Sequence, residues 1–162
     1  MLVSMFILFS FPVCSLAAEK TPTIQIPESV TDTIPDNSEI SDNPNYAEGT
    51  SSSFGTNMMI MAAGSSVSGG CSITKLSSSS VQISGYSITS PSDSGLKVTL
   101  QLQYYDEGWH TLVSTNKSVS GTRVDLTKTY TVTTGYYYRV YATHSLSNGT
   151  TSTSQTNGIY AG

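Results

Sequence analysis

Charge is what this sequence has least of. Only 11% of its 162 residues are Asp, Glu, Lys or Arg, where an ordinary soluble domain carries roughly 25%. A nucleic-acid interface needs a basic face, and 7 Lys+Arg against 11 Asp+Glu do not make one. A long amphipathic helix needs Glu and Lys, and a metal site needs clustered His, Cys or carboxylates. With 2 His and 2 Cys in the whole chain, neither a metal nor a cofactor is expected. Ser and Thr fill the gap, 29 and 22 of them, nearly a third of the residues. A Ser-, Thr-, Tyr- and Val-rich mixture favours β structure.

The N-terminus runs Met-Leu-Val-Ser-Met-Phe-Ile-Leu-Phe-Ser-Phe-Pro-Val-Cys and then into small residues, Ser15 to Ala18. That pattern reads as a secretory signal peptide over 1–18, cleaved after Ala17 or Ala18, although no Lys or Arg precedes the apolar run. An apolar run of about 14 residues is too short for a retained span, which needs roughly 20. A lipidated Cys14 is the lesser reading, because Val13 is bulkier than the residue such a site places before its Cys. The expectation is a secreted, extracellular protein with cell-surface association open to it and no membrane span after signal removal. Removal of Cys14 leaves Cys71 as the single thiol, which excludes an internal disulfide. Its neighbours Gly70, Ser72 and Thr74 offer nothing to activate it, so a buried, inert Cys71 is expected.

Residues 19–56 read as a disordered, extended acidic linker, the leader of the domain that follows. Seven carboxylates from Glu19 to Glu48 face the single Lys20, and Pro22, Pro27, Pro35 and Pro44 recur among few apolar residues. Residues 57–70 hold the run Met58-Met59-Ile60-Met61-Ala62-Ala63, a short strand or clasp.

From Cys71 to Gly162 the pattern is strands throughout. Leu96, Val98, Leu100, Leu102 and Tyr104 alternate with Lys97, Thr99, Gln101 and Gln103, the signature of a half-buried strand. Val81 and Ile83, then Tyr86 and Ile88, predict an earlier strand with a phase break near Gly85, joined to the next by a turn at 91–95. Trp109 opens a strand after the Asp106-Glu107-Gly108 turn, and Val124, Leu126, Tyr130 and Val132 mark another, interrupted by Lys128. Tyr136, Tyr138, Val140, Ala142 and His144 share one face of a long strand, with Tyr137, Arg139 and Tyr141 on the other. Six or seven strands in about 90 residues predict an all-β, antiparallel β-sandwich over 71–162.

Gly135-Tyr136-Tyr137-Tyr138-Arg139-Val140-Tyr141-Ala142 followed by Asn148-Gly149 resembles the penultimate strand and exit loop of fibronectin type III-like, immunoglobulin-like modules. The hairpin around Val98 to Tyr104 and Gly108-Trp109 resembles their central hairpin. The resemblance implies a tyrosine corner filled by Tyr136 or Tyr138. It departs where a Trp is expected in the second strand, since Val81-Gln82-Ile83 has none. With its leader, "LQLQYYDEGW" and "GYYYRVYATHS", the chain is similar to a family of exported proteins of Gram-positive bacteria, a family of no assigned function. That likeness implies a sandwich and supplies no catalytic residues.

No His-x-x-His, Cys-x-x-Cys or Gly-x-Ser-x-Gly spacing occurs, and Asp106 and Glu107 are adjacent on a strand end, pointing apart. A non-enzymatic module is therefore expected. Its candidate surface is the outward aromatic set Tyr105, Trp109, Tyr137, Arg139 and Tyr141, rings that stack on a cell-wall glycan or anchor an extracellular protein. The competing reading is that Arg139 packs over these rings and closes the face. The alternative function is a self-assembling structural protein that uses an edge strand or the Met-rich segment.

Overall fold

The computed structural model describes residues 21–26, 34–51 and 66–162. The apolar run at 1–18 and the Met-rich run at 58–63 lie outside these residues. A 3-10 turn at Asn37–Glu39 precedes seven strands: β1 Tyr46–Thr50, β2 Ser66–Ser77, β3 Ser80–Tyr105, β4 Trp109–Thr131, β5 Tyr136–Ser145, β6 Thr151–Gln155 and β7 Ile159–Ala161. They form one antiparallel sheet in the order β1-β2-β3-β5-β6, with β4 beside β3 and β7 beside β5. Among the described residues no helix is long and apolar enough to cross a membrane.

Two long strands shape the molecule. The first part of β3, 80–88, lies between β2 and the 123–131 part of β4. Its second part, 96–105, lies between β5 and the 109–119 part of β4. The sheet bends where β3 runs through a cis Ser90–Pro91 peptide and where β4 passes Gly121, opposite Asp93. So the expected turn at 91–95 is a bend within a continuous strand: the chain keeps its direction and changes partner from β2 to β5. Folding the sheet on itself brings β2 against β5 and β6 across the interior. It coils far enough that Gly49 of β1 meets the backbone of Gln155 on β6, where a Cβ would overlap the carbonyl.

The alternation in β3 and β5 fills that interior. Leu96, Val98, Leu100, Leu102, Val140 and Ala142 are fully buried. Each such side chain contributes about 1.5–3 kcal/mol of hydrophobic stabilisation before entropy is counted, except the smaller alanine. Val124, Leu126, Tyr130 and Val132 are buried while Lys128 is exposed, so the interrupted series is a true strand face.

The phase break expected near Gly85 is absent, because pairing with β2 runs unbroken through Cys71↔Gly85 and Gly70↔Tyr86. Tyr86 and Ile88 face outward, and the inward positions are taken by Gly85 and Ser87. Gly85 makes room for Leu100, whose Cδ2 lies 2.5 Å from where a Cβ would stand. Ser87 faces in because it has a polar partner there, His144.

Parts of the acidic 19–56 segment, expected to be disordered, are instead held on the sheet. Ile24 N–H donates to Thr131 O at 2.9 Å and Thr131 N–H to Pro22 O at 3.1 Å, a parallel bridge at the β4 edge that leaves Ile26 buried. Ile40 bridges Gly158 in the same parallel sense, and β1 extends the sheet beyond β2. Composition weighs carboxylates and prolines, whereas an open sheet edge accepts any backbone with free N–H and C=O groups.

Candidate functional site

Period-two alternation in β5 turns Tyr137, Arg139 and Tyr141 outward once Tyr138, Val140 and Ala142 are buried. The hairpin at 106–108 sets Tyr105 opposite Trp109. Pairing of Tyr104 with Tyr138 brings Tyr105 alongside Tyr137, and Tyr137 in turn pairs with Tyr160 of β7. Trp109, Tyr105, Tyr137 and Tyr160 therefore form a row across four strands on one outer face.

The row divides into two contacts. Tyr105 meets Trp109 edge-on, ring centres 5.2 Å apart at 71°, and Tyr137 meets Tyr160 at 5.1 Å and 50°. Both separations fall in the favourable range for aromatic pairs. Tyr160 is the open end, 43% exposed. Tyr141 stands apart, four residues or about 13 Å along the strand from Tyr137, between Gln101 and Gln155.

Arg139 lies over the Trp109 ring, its guanidinium carbon 4.3 Å from the centre. Its Nε donates to Gln103 Oε1 at 2.8 Å, and Gln103 Nε2 reaches Thr111 Oγ1 at 3.4 Å. Glu39, from the leader, completes the cluster: Trp109 Nε1 donates to its Oε1 at 3.2 Å, and Arg139 Nη1 lies 3.8 Å from the same oxygen. Burial pulls the Arg139 guanidinium below its ordinary pKa, with Glu39 acting in the opposite direction. Behind the indole is Gly158, where a Cβ would stand 2.7 Å from Trp109 Cη2. Gly158 also bonds the leader through its N–H to Glu39 O at 2.6 Å and its O from Ser41 N–H at 2.8 Å.

Of the five residues singled out from sequence, the fold thus joins Tyr105, Trp109 and Arg139, puts Tyr137 in the same row, and sets Tyr141 on the far side of Arg139 on the same face, outside the row of rings. Arg139 does close over Trp109. Sequence reasoning missed Glu39, Gln103 and Tyr160. Tyr160 had a local signal, its alternation with the inward Ile159 and Ala161. Glu39 had none, being 70 residues from Trp109.

A second polar cluster lies inside. His144 is fully buried between Ser87 Oγ, 2.8 Å from Nδ1, and Ser154 Oγ, 2.9 Å from Nε2. Ser87 Oγ also donates to Lys97 O at 3.0 Å and Ser154 Oγ to Cys71 Sγ at 3.4 Å, so each ring nitrogen of His144 meets a hydroxyl that is itself anchored. Burial pushes the imidazole pKa down to about 4. Neighbouring Cys71 is buried, its Sγ 3.4 Å from Ser154 Oγ, and burial pushes its thiol up to about 11. Both groups are neutral at pH 7 and sealed from solvent. Their arrangement satisfies buried polar atoms and presents no accessible nucleophile.

No protein-family model, no curated protein and no solved structure matches this chain.

Proposed function

We propose that the chain is an exported, non-enzymatic binding or adhesion module that meets a cell-wall glycan or an extracellular protein through its aromatic sheet face. The observation that carries this reading is the in-register row Trp109, Tyr105, Tyr137 and Tyr160, with Tyr160 open to solvent. Rings offer large contact area at low side-chain entropy cost, which suits a binding surface on a weakly charged sheet. Export is supported by the apolar run and small residues of 1–18.

The finer fold assignment belongs to the same proposal: an immunoglobulin-like, fibronectin type III-like β-sandwich, akin to the exported proteins of Gram-positive bacteria that the leader and the β3 and β5 motifs resemble. Supporting it, the sheet divides at its bends into β1, β2, 80–88 and 123–131 on one side and 109–119, 96–105, β5 and β6 with β7 on the other. Tyr138 Oη donates to Thr133 O at 2.8 Å, the geometry of a tyrosine corner, which favours Tyr138 over Tyr136 for that role.

Retention of the full chain on purified cell walls and on surface-protein extracts tests the reading. A Tyr137→Ala, Tyr160→Ala double variant loses retention if the row is the contact. Wild-type retention by that variant overturns the proposal.

One observation favours assembly as the second reading. Among the described residues, the outer edge of β4 from 109 to 129 pairs with no strand. Lys117, Arg123 and Lys128 lie on it, charges that commonly guard an open edge. A mass that rises with concentration in light scattering would support assembly over binding.

A further inference from the structure

The opposite outer face, formed by β1, β2 and the 80–88 and 123–131 parts of β3 and β4, carries a hollow of about 220 Å³. Gly70, Ser72 and Ser84 form its floor. Tyr46 and Glu48 stand on one rim, and Tyr86, Asp125 and Thr127 on the other. The hollow exists because the cross-strand row Glu48, Ser72, Ser84 and Thr127 has serine at both central positions. Gly70 beside them has no side chain, and Tyr86 leans over it: a Cβ there would lie 3.0 Å from Tyr86 Cε1.

The chemistry of the rim is specific. Tyr46 Oη donates to Glu48 Oε2 at 2.8 Å, which fixes that carboxylate at the edge, and Tyr46 as a whole is 37% exposed. Arg123 pairs with Asp125 through Nε at 2.8 Å and through Nη2, while its guanidinium covers the Tyr86 ring at 4.8 Å. A cationic ligand would find the Asp125 charge already neutralised by Arg123, which stands against Tyr86 outside the lining, and one Glu48 oxygen already bonded by Tyr46. An anionic ligand would meet Glu48. What remains is a neutral ligand rich in hydroxyls: the second oxygen of Glu48 accepts, Ser72 both donates and accepts, and Ser84 and Thr127, bonded to each other at 3.0 Å, keep one free O–H and spare lone pairs between them. An exposed ring beside such groups suits a sugar's C–H face.

We propose that this hollow binds a single neutral pyranose ring, seated on Gly70 and Ser72, hydrogen-bonded by Glu48 and stacked on Tyr46. It lies on the other side of the sheet from the Tyr137 and Tyr160 row, so the two sites stand or fall separately.

The test is titration of the 15N-labelled full chain with D-glucose, D-galactose and N-acetyl-D-glucosamine, with butylammonium and acetate as charged controls. At least one sugar is expected to give saturable amide shifts at Gly70, Ser72, Ser84 and Tyr86. Glu48→Gln weakens that binding about tenfold, the loss of one charge-assisted hydrogen bond. Ser72→Leu fills the trough from a solvent-facing position and abolishes binding with the rest of the spectrum unchanged, whereas Tyr137→Ala has no effect. Three outcomes overturn the site: no saturation by any of the three sugars, shifts centred on Tyr137 and Tyr160, or butylammonium or acetate shifting the hollow as the sugars do.

Discussion

Glu39 reaches across 70 residues of sequence to accept the indole N–H of Trp109 at 3.2 Å, beneath the guanidinium that Arg139 stacks on the same ring. One carboxylate therefore joins the leader to the aromatic face. The consequences can be measured separately for each partner.

Arg139→Ala removes a cation–π contact and the packing of a side chain only 13% exposed, and is expected to cost roughly 1–2 kcal/mol. Glu39→Gln removes a half-exposed ion pair at 3.8 Å and keeps an acceptor for the indole, so roughly 0.5 kcal/mol is expected. Urea unfolding followed by the fluorescence of Trp109, the only Trp, resolves the two. An equal loss in both variants would refute the ranking.

His144 makes folding stability fall in mild acid. Its folded pKa of about 4 lies below the unfolded value of 6.5, so the unfolded chain takes up the proton first as pH drops. The contribution is complete above pH 6.5 and is lost towards pH 4, on the order of 3 kcal/mol in total. His144→Gln should flatten the pH dependence across that window whatever its own stability. A slope unchanged by the substitution would assign the effect elsewhere.

Tyr138→Phe keeps the buried ring and loses only the hydroxyl bond to Thr133 O. A loss of about 1 kcal/mol is expected, seen as a lower urea midpoint with an unchanged m-value. Tyr136→Phe, at the half-buried neighbouring position, should be close to neutral.

Gly69→Ala places a methyl group on the His144 ring and the Tyr86 carbonyl. Neither backbone nor a doubly hydrogen-bonded imidazole can give way cheaply, so on the order of 3 kcal/mol is expected from chemical denaturation. Gly108→Ala, at a turn where nothing lies within 4 Å of the added methyl, is the control and should change little.

Cys71 should be inert to a thiol reagent such as DTNB in native buffer and react at once in concentrated urea, because burial both shields the sulfur and raises its pKa to about 11. Rapid labelling of the native chain would mean that β2 opens readily against β5 and β6.

What the sequence by itself determined was everything governed by neighbours along one strand. Alternation in 96–104 and 136–144 separated inward Leu, Val and Tyr138 from outward Gln, Arg139 and Tyr137, because side chains of a strand must alternate faces. Such spacing is blind to partners far along the chain. Ser87 looked like a break in phase until His144 was opposite it, and 91–95 looked like a turn because Pro and Gly mark bends and reversals alike. Only the tertiary structure decided which rings share a row, that Glu39 caps Trp109, and that two serines and a glycine in register leave a hollow. These depend on strand register and on how far a folded sheet coils, both set by long-range pairing that no local pattern encodes.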